Sequence, residues 1–129
     1  AGNALSMAAV RATLTEVLTE EAFERMEKLC TVWTQDVQAI IDEYQIPWQV
    51  SQLGSRAEYS FRPTAPRTGK EAADADDFEL QQYLHLHALN RGILMTPFHN
   101  MALVSPATTL EDVKRHTEHF RDATRALFS

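Results

Sequence analysis

A polar corner, Phe98-His99-Asn100, separates two short apolar runs at 93–95 and 102–104. Residues such as His and Asn are common turn formers, and loops at strand ends are also where proteins place binding side chains. The pattern therefore predicts two short strands joined by a corner. His99 and Asn100 are either simple turn residues or contacts to a ligand at the mouth of a small sheet.

A second candidate is Arg56, which alternates with apolar residues along a predicted strand. Ala57 and Tyr59 belong to one face, and Arg56 and Glu58 to the other. An exposed ion pair between these two charges is the simpler interpretation. The alternative is an arginine that binds an anionic ligand, because guanidinium and carboxylate groups pair through two parallel hydrogen bonds.

Histidines and carboxylates raise the question of a metal site. Asp112, His116 and His119 are four and three residues apart on a predicted helix and therefore share a face, as zinc ligands can. The charged residues around them indicate a solvated surface, and we expect no native metal there. His85 and His87 are two residues apart on a helix and point to different faces.

The first half of the chain predicts two helices and a hairpin. Asn3 is a good N-cap for a first helix, 4–18, whose small and apolar residues suggest that it is covered on more than one side. Thr19 caps a second helix that reaches about Tyr44. Its apolar residues recur at steps of three and four: Phe23, Met26, Cys30, Trp33, Val37, Ile40 and Tyr44.

Two strands, 48–53 and 56–61, follow as a hairpin or bent pair, and a polar loop occupies 63–75. A third helix runs from Asp76 or Asp77 to about Asn90, where Asn90 and Gly92 stop it. The last helix begins at a capping box formed by Thr108 and Glu111. The order of elements predicts a single α+β domain, residues 1–129, with a small antiparallel sheet and helices packed on it.

Composition excludes several classes of function. The chain has 129 residues, 44% of them hydrophobic, and a formal net charge of −6. Scattered basic residues do not form a nucleic-acid surface, and no apolar run approaches the roughly 20 residues that span a bilayer. We expect no signal peptide. The single cysteine, Cys30, is expected to be a buried packing residue in a reducing, cytoplasmic environment. The chain begins without methionine, which is consistent with a fragment.

Four short motifs, in order along the chain, resemble those of class III pyridoxal-phosphate aminotransferases. Residues 2–9, Gly-Asn-Ala-Leu-Ser-Met-Ala-Ala, resemble the family's Gly-Asn-Pro-Leu-(Ala/Ser)-Met-Ala-Ala entry into a helix. Leu53-Gly54-Ser55 resembles the glycine turn before the central strand. Residues 91–97 resemble the (Arg)-Gly-Val-x-x-x-Pro strand, and 105–112 resemble the segment entering the last helix. This family has fold type I and includes glutamate-1-semialdehyde aminomutase.

The resemblance implies that the chain is the C-terminal, substrate-capping domain of a larger enzyme. In the family, pyridoxal phosphate is held as a Schiff base by a lysine of the large domain, which would lie upstream of residue 1. Lys28, Lys70 and Lys114 match no such motif. The fragment alone is therefore expected to be inactive, with no catalytic, cofactor-binding or metal-binding residue of its own. The implied partners are the large domain, an amino donor and a keto acceptor, and a second subunit in a homodimer.

The corner departs from the family pattern. Many members place a carboxylate-binding arginine there, and the aminomutases place Ser-x-Phe-Glu, whereas this chain has Phe98-His99-Asn100-Met101. We predict that His99, Asn100 and Arg56 contact the substrate. The substrate itself stays open among an amino acid, including a β-amino acid, and an amine. An aminomutase domain and a stand-alone binding or dimerisation module of the same fold are the alternatives.

Overall fold

The computed structural model describes residues 2–96 and 99–128. This part of the chain contains five α-helices and one three-stranded antiparallel sheet, so the predicted α+β class is confirmed. The elements are α1 (Ala4–Ala12), α2 (Glu20–Glu43), β1 (Gln49–Leu53), β2 (Arg56–Ser60), α3 (Gly69–Ala73), α4 (Phe78–Leu89), β3 (Met101–Leu103) and α5 (Leu110–Phe128). None of these helices is both long and apolar enough to cross a membrane.

The sheet has the order β1-β2-β3, with β2 in the centre. The hairpin between β1 and β2 turns at Gly54, whose φ of +59° lies in the left-handed region that glycine adopts without a steric penalty. Ala57 of β2 lies opposite Ala102 of β3. The predicted hairpin is therefore confirmed. The corner residues come directly before β3, which is an edge strand of the sheet.

The core lies between the sheet, α2 and α5. The predicted stripe on α2 is buried from Met26 to Ile40, although Phe23 at its start is 43% exposed. Phe120 of α5 is fully buried and packs on Tyr59 of β2, with 5.0 Å between ring centroids. The Cys30 thiol is buried and free, and burial raises its pKa, which confirms its role as a packing residue.

The first helical segment is longer than α1 and changes its hydrogen bonding. Residues Thr13–Val17 form a π-helix, and the Leu18 amide donates to the Thr13 carbonyl over 2.9 Å. The hydroxyl of Thr13 donates to the Ala9 carbonyl, a local bond that competes with the regular helical ladder. No residue of α1 is buried, and Leu5 is 81% exposed. The predicted cover for this helix is absent from the described chain.

Two elements differ from the sequence predictions. Residues 93–95, predicted as a strand, do not form one, because no neighbouring strand pairs with them among the described residues. The predicted loop 63–75 contains α3, which Thr68 caps by accepting a hydrogen bond from the Glu71 amide at 3.2 Å. Glu71 in turn accepts from the Arg67 amide at 2.8 Å. Threonine followed three residues later by glutamate was a capping signal that the sequence analysis missed.

The start of α5 is capped one residue later than predicted. The Thr109 hydroxyl accepts from the Asp112 amide at 3.2 Å, and Asp112 accepts from the Thr109 amide at 2.8 Å. The capping box is therefore Thr109–Asp112 and not Thr108–Glu111. Thr108 instead accepts from the Ser105 amide at 3.0 Å and closes the preceding turn.

Candidate functional site

The corner begins at a glycine-based end of α4. The Ile93 amide donates to the Ala88 carbonyl at 3.0 Å and the Gly92 amide to the Leu89 carbonyl at 2.9 Å, which is the Schellman pattern. Gly92 has φ +73°. The Asn90 and Gly92 stop is thus confirmed, and it turns the chain from α4 toward β3.

His99 and Asn100 lie at the corner with very different exposure. The His99 side chain is exposed, whereas Asn100 is only 7% exposed. The Asn100 carbonyl accepts from the Tyr59 amide at 3.2 Å, which ties the corner to the central strand. Pro97 and Phe98 lie outside the described residues. The side chain of His99 is therefore open to solvent, whereas Asn100 is buried behind it.

Arg56 lies away from this corner. It is opposite Leu103 in the sheet, whereas Asn100 meets Tyr59, three residues further along β2. At about 3.3 Å per residue this separates them by roughly 10 Å. The Arg56 guanidinium pairs with Glu58 at 3.3 Å, and its side chain is 54% exposed. The ion pair is present as the simpler interpretation expected, and a ligand-binding role for Arg56 stays a prediction.

A cavity of about 470 Å³ lies beside the corner. Its walls are the segment 92–96, strand β3 and the first turns of α5, with Trp33 of α2 also contributing. Most of the lining is apolar, and the polar groups come mainly from α5 (Asp112, Arg115 and His116) and from Thr108 in the turn before it. A largely apolar cavity with a few polar groups is the usual form of a small-molecule site.

Arg115 and Thr108 line this cavity, although neither was among the predicted site residues. Arg115 donates from Nη2 to the Arg91 carbonyl at 2.8 Å, so it also fixes the start of the corner. The available signal was the position of Asp112 and Arg115 on the same side of α5, three residues apart. What the sequence does not reveal is that this side of α5 lies against the segment after α4.

The histidines of α5 are buried, which corrects the prediction of a solvated polar surface. His116 and His119 are each 5% exposed, while Asp112 at the exposed helix start bonds to Thr109. His119 meets His87 of α4, with 2.9 Å between their Nδ1 atoms. Among residues 2–96 and 99–128, no three His, Cys, Asp or Glu side chains are placed to hold a metal ion.

Burial keeps these histidines neutral near pH 7. It lowers the pKa of His116 to about 3, and the neighbouring His119 contributes a smaller part. Burial likewise lowers the pKa of His119 to about 4, assisted by His87 and Arg91. An ionised imidazole loses its hydration when it is buried, so the neutral form is favoured.

No described lysine is suited to hold a carbonyl cofactor. Lys28 and Lys114 are exposed, and Lys70 pairs with Asp74 at 2.6 Å on the surface. None of the three lines the large cavity. A lysine that forms a covalent bond with a carbonyl group is commonly activated by a desolvated pocket, whereas all three lysines here are exposed.

Comparison with known proteins gives a consistent set of relatives. No family model matches the chain. Glutamate-1-semialdehyde 2,1-aminomutase 2 of Brevibacillus brevis is 31% identical over 98% of this chain, and the aminomutase of Desulfitobacterium hafniense is also 31% identical over 98%. The chain spans only 30% and 29% of these relatives' lengths.

Solved structures point to the same group of relatives. A glutamate-1-semialdehyde aminomutase from Pseudomonas aeruginosa is 48% identical with a TM-score of 0.95, covering 98% of this chain and 28% of that one. A β-phenylalanine aminotransferase from Variovorax paradoxus is 27% identical with a TM-score of 0.76, covering 95% of this chain and 28% of that one. The predicted resemblance is thereby confirmed: over 98% of its length this chain is similar in sequence and fold to about 28–30% of glutamate-1-semialdehyde aminomutases, which is consistent with a C-terminal domain of a class III enzyme.

Proposed function

We propose that this chain is the substrate-capping C-terminal domain of a class III aminotransferase that uses pyridoxal phosphate. The observation that carries the proposal is the match to a much larger aminomutase at 48% identity over 98% of this chain. The substrate would be an amino acid, including a β-amino acid, or an amine, with a keto compound as acceptor. The β-amino possibility has one supporting observation, the similarity to a β-phenylalanine aminotransferase.

The cofactor would be held by the rest of the enzyme. One related structure contains the amine form of the cofactor, and another contains pyridoxal phosphate. When bound, the cofactor supplies the electron sink that amino transfer needs. Because Lys28, Lys70 and Lys114 do not fit it, this domain would contribute walls and substrate contacts and no covalent step. The isolated chain should therefore be inactive.

The chain's own residues would act on the substrate side. Exposed His99 is the group free to meet a substrate, and buried Asn100 holds the corner in place through the Tyr59 amide. Arg115 lines the neighbouring cavity and would favour a substrate carboxylate, because guanidinium is a strong partner for that group. Arg56 would be the alternative anionic contact if a second domain covered its strand.

The partners would be the large domain and a second subunit. In support of this, α1 exposes Leu5, Met7 and Val10, and apolar surface of this kind is usually covered by another protein surface. A homodimer is proposed on the same ground. A cytoplasmic location is proposed because the one cysteine, Cys30, is a free buried thiol.

The test is a domain graft. The matching part of the P. aeruginosa aminomutase is replaced by this chain, which the TM-score of 0.95 makes geometrically reasonable. We expect the chimera to bind pyridoxal phosphate and to transfer amino groups from at least one donor in a panel of α-amino acids, β-amino acids and amines. A chimera that binds the cofactor but acts on no donor would refute the proposal.

Two controls make the result specific. A chimera whose cofactor lysine is changed to alanine should show no amino transfer. The 129-residue chain alone, mixed with pyridoxal phosphate and borohydride, should give no stoichiometric adduct at Lys28, Lys70 or Lys114 by peptide mapping. A single such adduct would show that this chain holds the cofactor itself. Conversion of glutamate-1-semialdehyde without an external acceptor would instead assign the aminomutase reaction.

A further inference from the structure

His87 and His119 bring two chemically identical nitrogens together. Their Nδ1 atoms lie 2.9 Å apart, between the last turn of α4 and the middle of α5. A neutral imidazole carries one N–H and one bare nitrogen, so this contact is a hydrogen bond only if one Nδ1 is protonated and the other is bare. When both Nδ1 atoms are protonated, their N–H groups point at each other and repel. When neither is protonated, their lone pairs repel.

We propose that His87 and His119 are positioning residues, in which one proton shared between their Nδ1 atoms holds the end of α4 on α5 and a second proton releases it. The pair is called the histidine latch below. The latch is defined by geometry within this chain and does not depend on the proposed function. Its consequence for substrate choice does rest on that function, because the end of α4 leads directly into the His99–Asn100 corner.

The latch controls the start of the corner through a short series of bonds. The His87 carbonyl accepts from the Arg91 guanidinium at 3.2 Å, and the Arg91 carbonyl accepts from Arg115 at 2.8 Å. The two bonds place the segment 91–93 between the last turn of α4 and α5. Loss of the His87–His119 bond removes one side-chain contact between this turn of α4 and α5.

The other side of His119 faces the corner itself. His116, His119, His99 and Asn100 line a common void of about 10 Å³, close to the volume that one water molecule requires. The Nδ1 of His116 is buried and has no hydrogen-bond partner among the described atoms. Both imidazoles thus share this void with the corner, and a charge placed on either is introduced into the void that Asn100 lines.

Burial and the positive charge of Arg91 oppose a second proton on the latch, and Asp122 favours it. Arg91 lowers the pKa of both His87 and His119, whereas Asp122 raises them, and burial makes the largest contribution for each. The remaining titratable groups near the pair come from every element packed on it: Tyr83 and His85 of α4, His116 of α5, His99 of the corner and Tyr59 of β2.

The decisive experiment measures the latch in the 129-residue chain by ¹⁵N NMR of the imidazole nitrogens and by amide exchange. At pH 7 we expect one of the two histidines as the Nδ1–H tautomer and the other as the Nε2–H tautomer. Protection factors for the Gly92 and Ile93 amides, taken relative to those of Val37 and Ile40 in α2, should fall about tenfold as the pair takes a second proton, the size expected for one lost hydrogen bond.

Three variants separate the latch from general stability. Asparagine places an amide where the imidazole has Nδ1, so His119→Asn should keep the protection of 92–93 and lose its pH dependence. His87→Leu should lower this protection at every pH. Gln82→Asn, at an exposed position of the same helix that does not line this void, should behave as wild type. If the wild-type and His119→Asn pH profiles coincide, or if 92–93 only follow the α2 core, the latch is refuted.

The grafted chimera distinguishes this inference from the proposed function. If the function is correct and the latch acts on it, His119→Asn should flatten the pH dependence of the KM for the amino donor and leave kcat within about twofold. A chimera without any activity would refute the function while the NMR and exchange results still decide the latch. An active chimera whose KM profile is identical in His119→Asn would refute the link between the latch and substrate choice.

Discussion

The imidazole of His116 packs against the indole of Trp33, with 5.2 Å between ring centroids and 44° between planes. The imidazole also stacks on Phe120 at 6.1 Å and 16°. A histidine packed on two aromatic side chains in the core is uncharged in the folded protein, because neither neighbour solvates a cation as water does. The folded state therefore discriminates against the protonated form of the His116 imidazole.

This discrimination predicts a loss of stability in mild acid. The pKa values of about 3 for His116 and about 4 for His119 lie below the ordinary histidine value of 6.5. Between pH 4 and 6.5 the unfolded chain binds more protons than the folded chain. The free energy of unfolding is thus fully retained above pH 6.5 and falls as the pH drops toward 4, by up to about 1.4 kcal/mol per pH unit for each proton.

Urea unfolding at several pH values measures this slope. His116→Phe keeps an aromatic ring against Trp33 and Phe120 and removes the titrating group, so its slope should be smaller by about one proton. Leu86→Phe, which changes an exposed, non-titrating residue of α4, is the control and should retain the wild-type slope. A wild-type stability that is flat from pH 7 to pH 4 would contradict the burial argument.

A second prediction concerns the start of α5. Thr109→Ala removes the hydroxyl that accepts from the Asp112 amide, and should cost about 1 kcal/mol, typical of a lost N-cap. Glu111→Ala, at the position that the sequence first suggested, should be neutral within about 0.5 kcal/mol, as for most exposed sites. Thermal or urea unfolding compares them, and equal losses in the two variants would show that the cap is assigned incorrectly.

The choice between the two caps shows where sequence reasoning stops. Thr108 and Thr109 are adjacent, and each has an acidic residue three positions later. Both pairs satisfy the capping pattern, and only the position of the Ser105 turn, which engages Thr108, decides between them. By contrast, the buried stripe of α2 was predictable because a helix face repeats locally along the chain.

The parts that were not predictable depend on contacts between distant segments. His87 and His119 are far apart in sequence, and nothing local marks either as half of a pair. The segment 93–95 has the residue types of a strand but lacks a paired neighbour among the described residues, so strand propensity alone misled. The exposure of α1 has the same origin, since burial depends on a surface that the described chain does not contain.

Self-association through α1 is the third prediction. Leu5 of α1 is 81% exposed and Leu14 of the π-helix that continues it is 61% exposed, so we expect the 129-residue chain to associate through this helical segment or to leave it frayed. The double variant Leu5→Gln, Leu14→Gln should shift analytical ultracentrifugation toward monomer. Leu53→Gln, which changes a leucine that is 80% exposed on β1, is the control and should not. A monomeric wild type with strong amide protection across α1 would contradict the prediction.

The last prediction separates the two corner residues. His99 is exposed, so His99→Ala should leave the free energy of unfolding within about 0.5 kcal/mol of wild type. Asn100 is buried behind it, so Asn100→Ala should destabilise the chain by about 1 kcal/mol through the loss of side-chain packing, while the backbone bond to the Tyr59 amide is kept. In the grafted chimera, His99→Ala should change kcat/KM among amino donors by roughly ten- to a hundredfold, because a lost positioning contact costs about 1–3 kcal/mol. The visible spectrum of the bound cofactor should not change. If every donor stays within twofold of wild type, the corner is only a turn, and Arg115 and Arg56 become the groups to test for the substrate carboxylate.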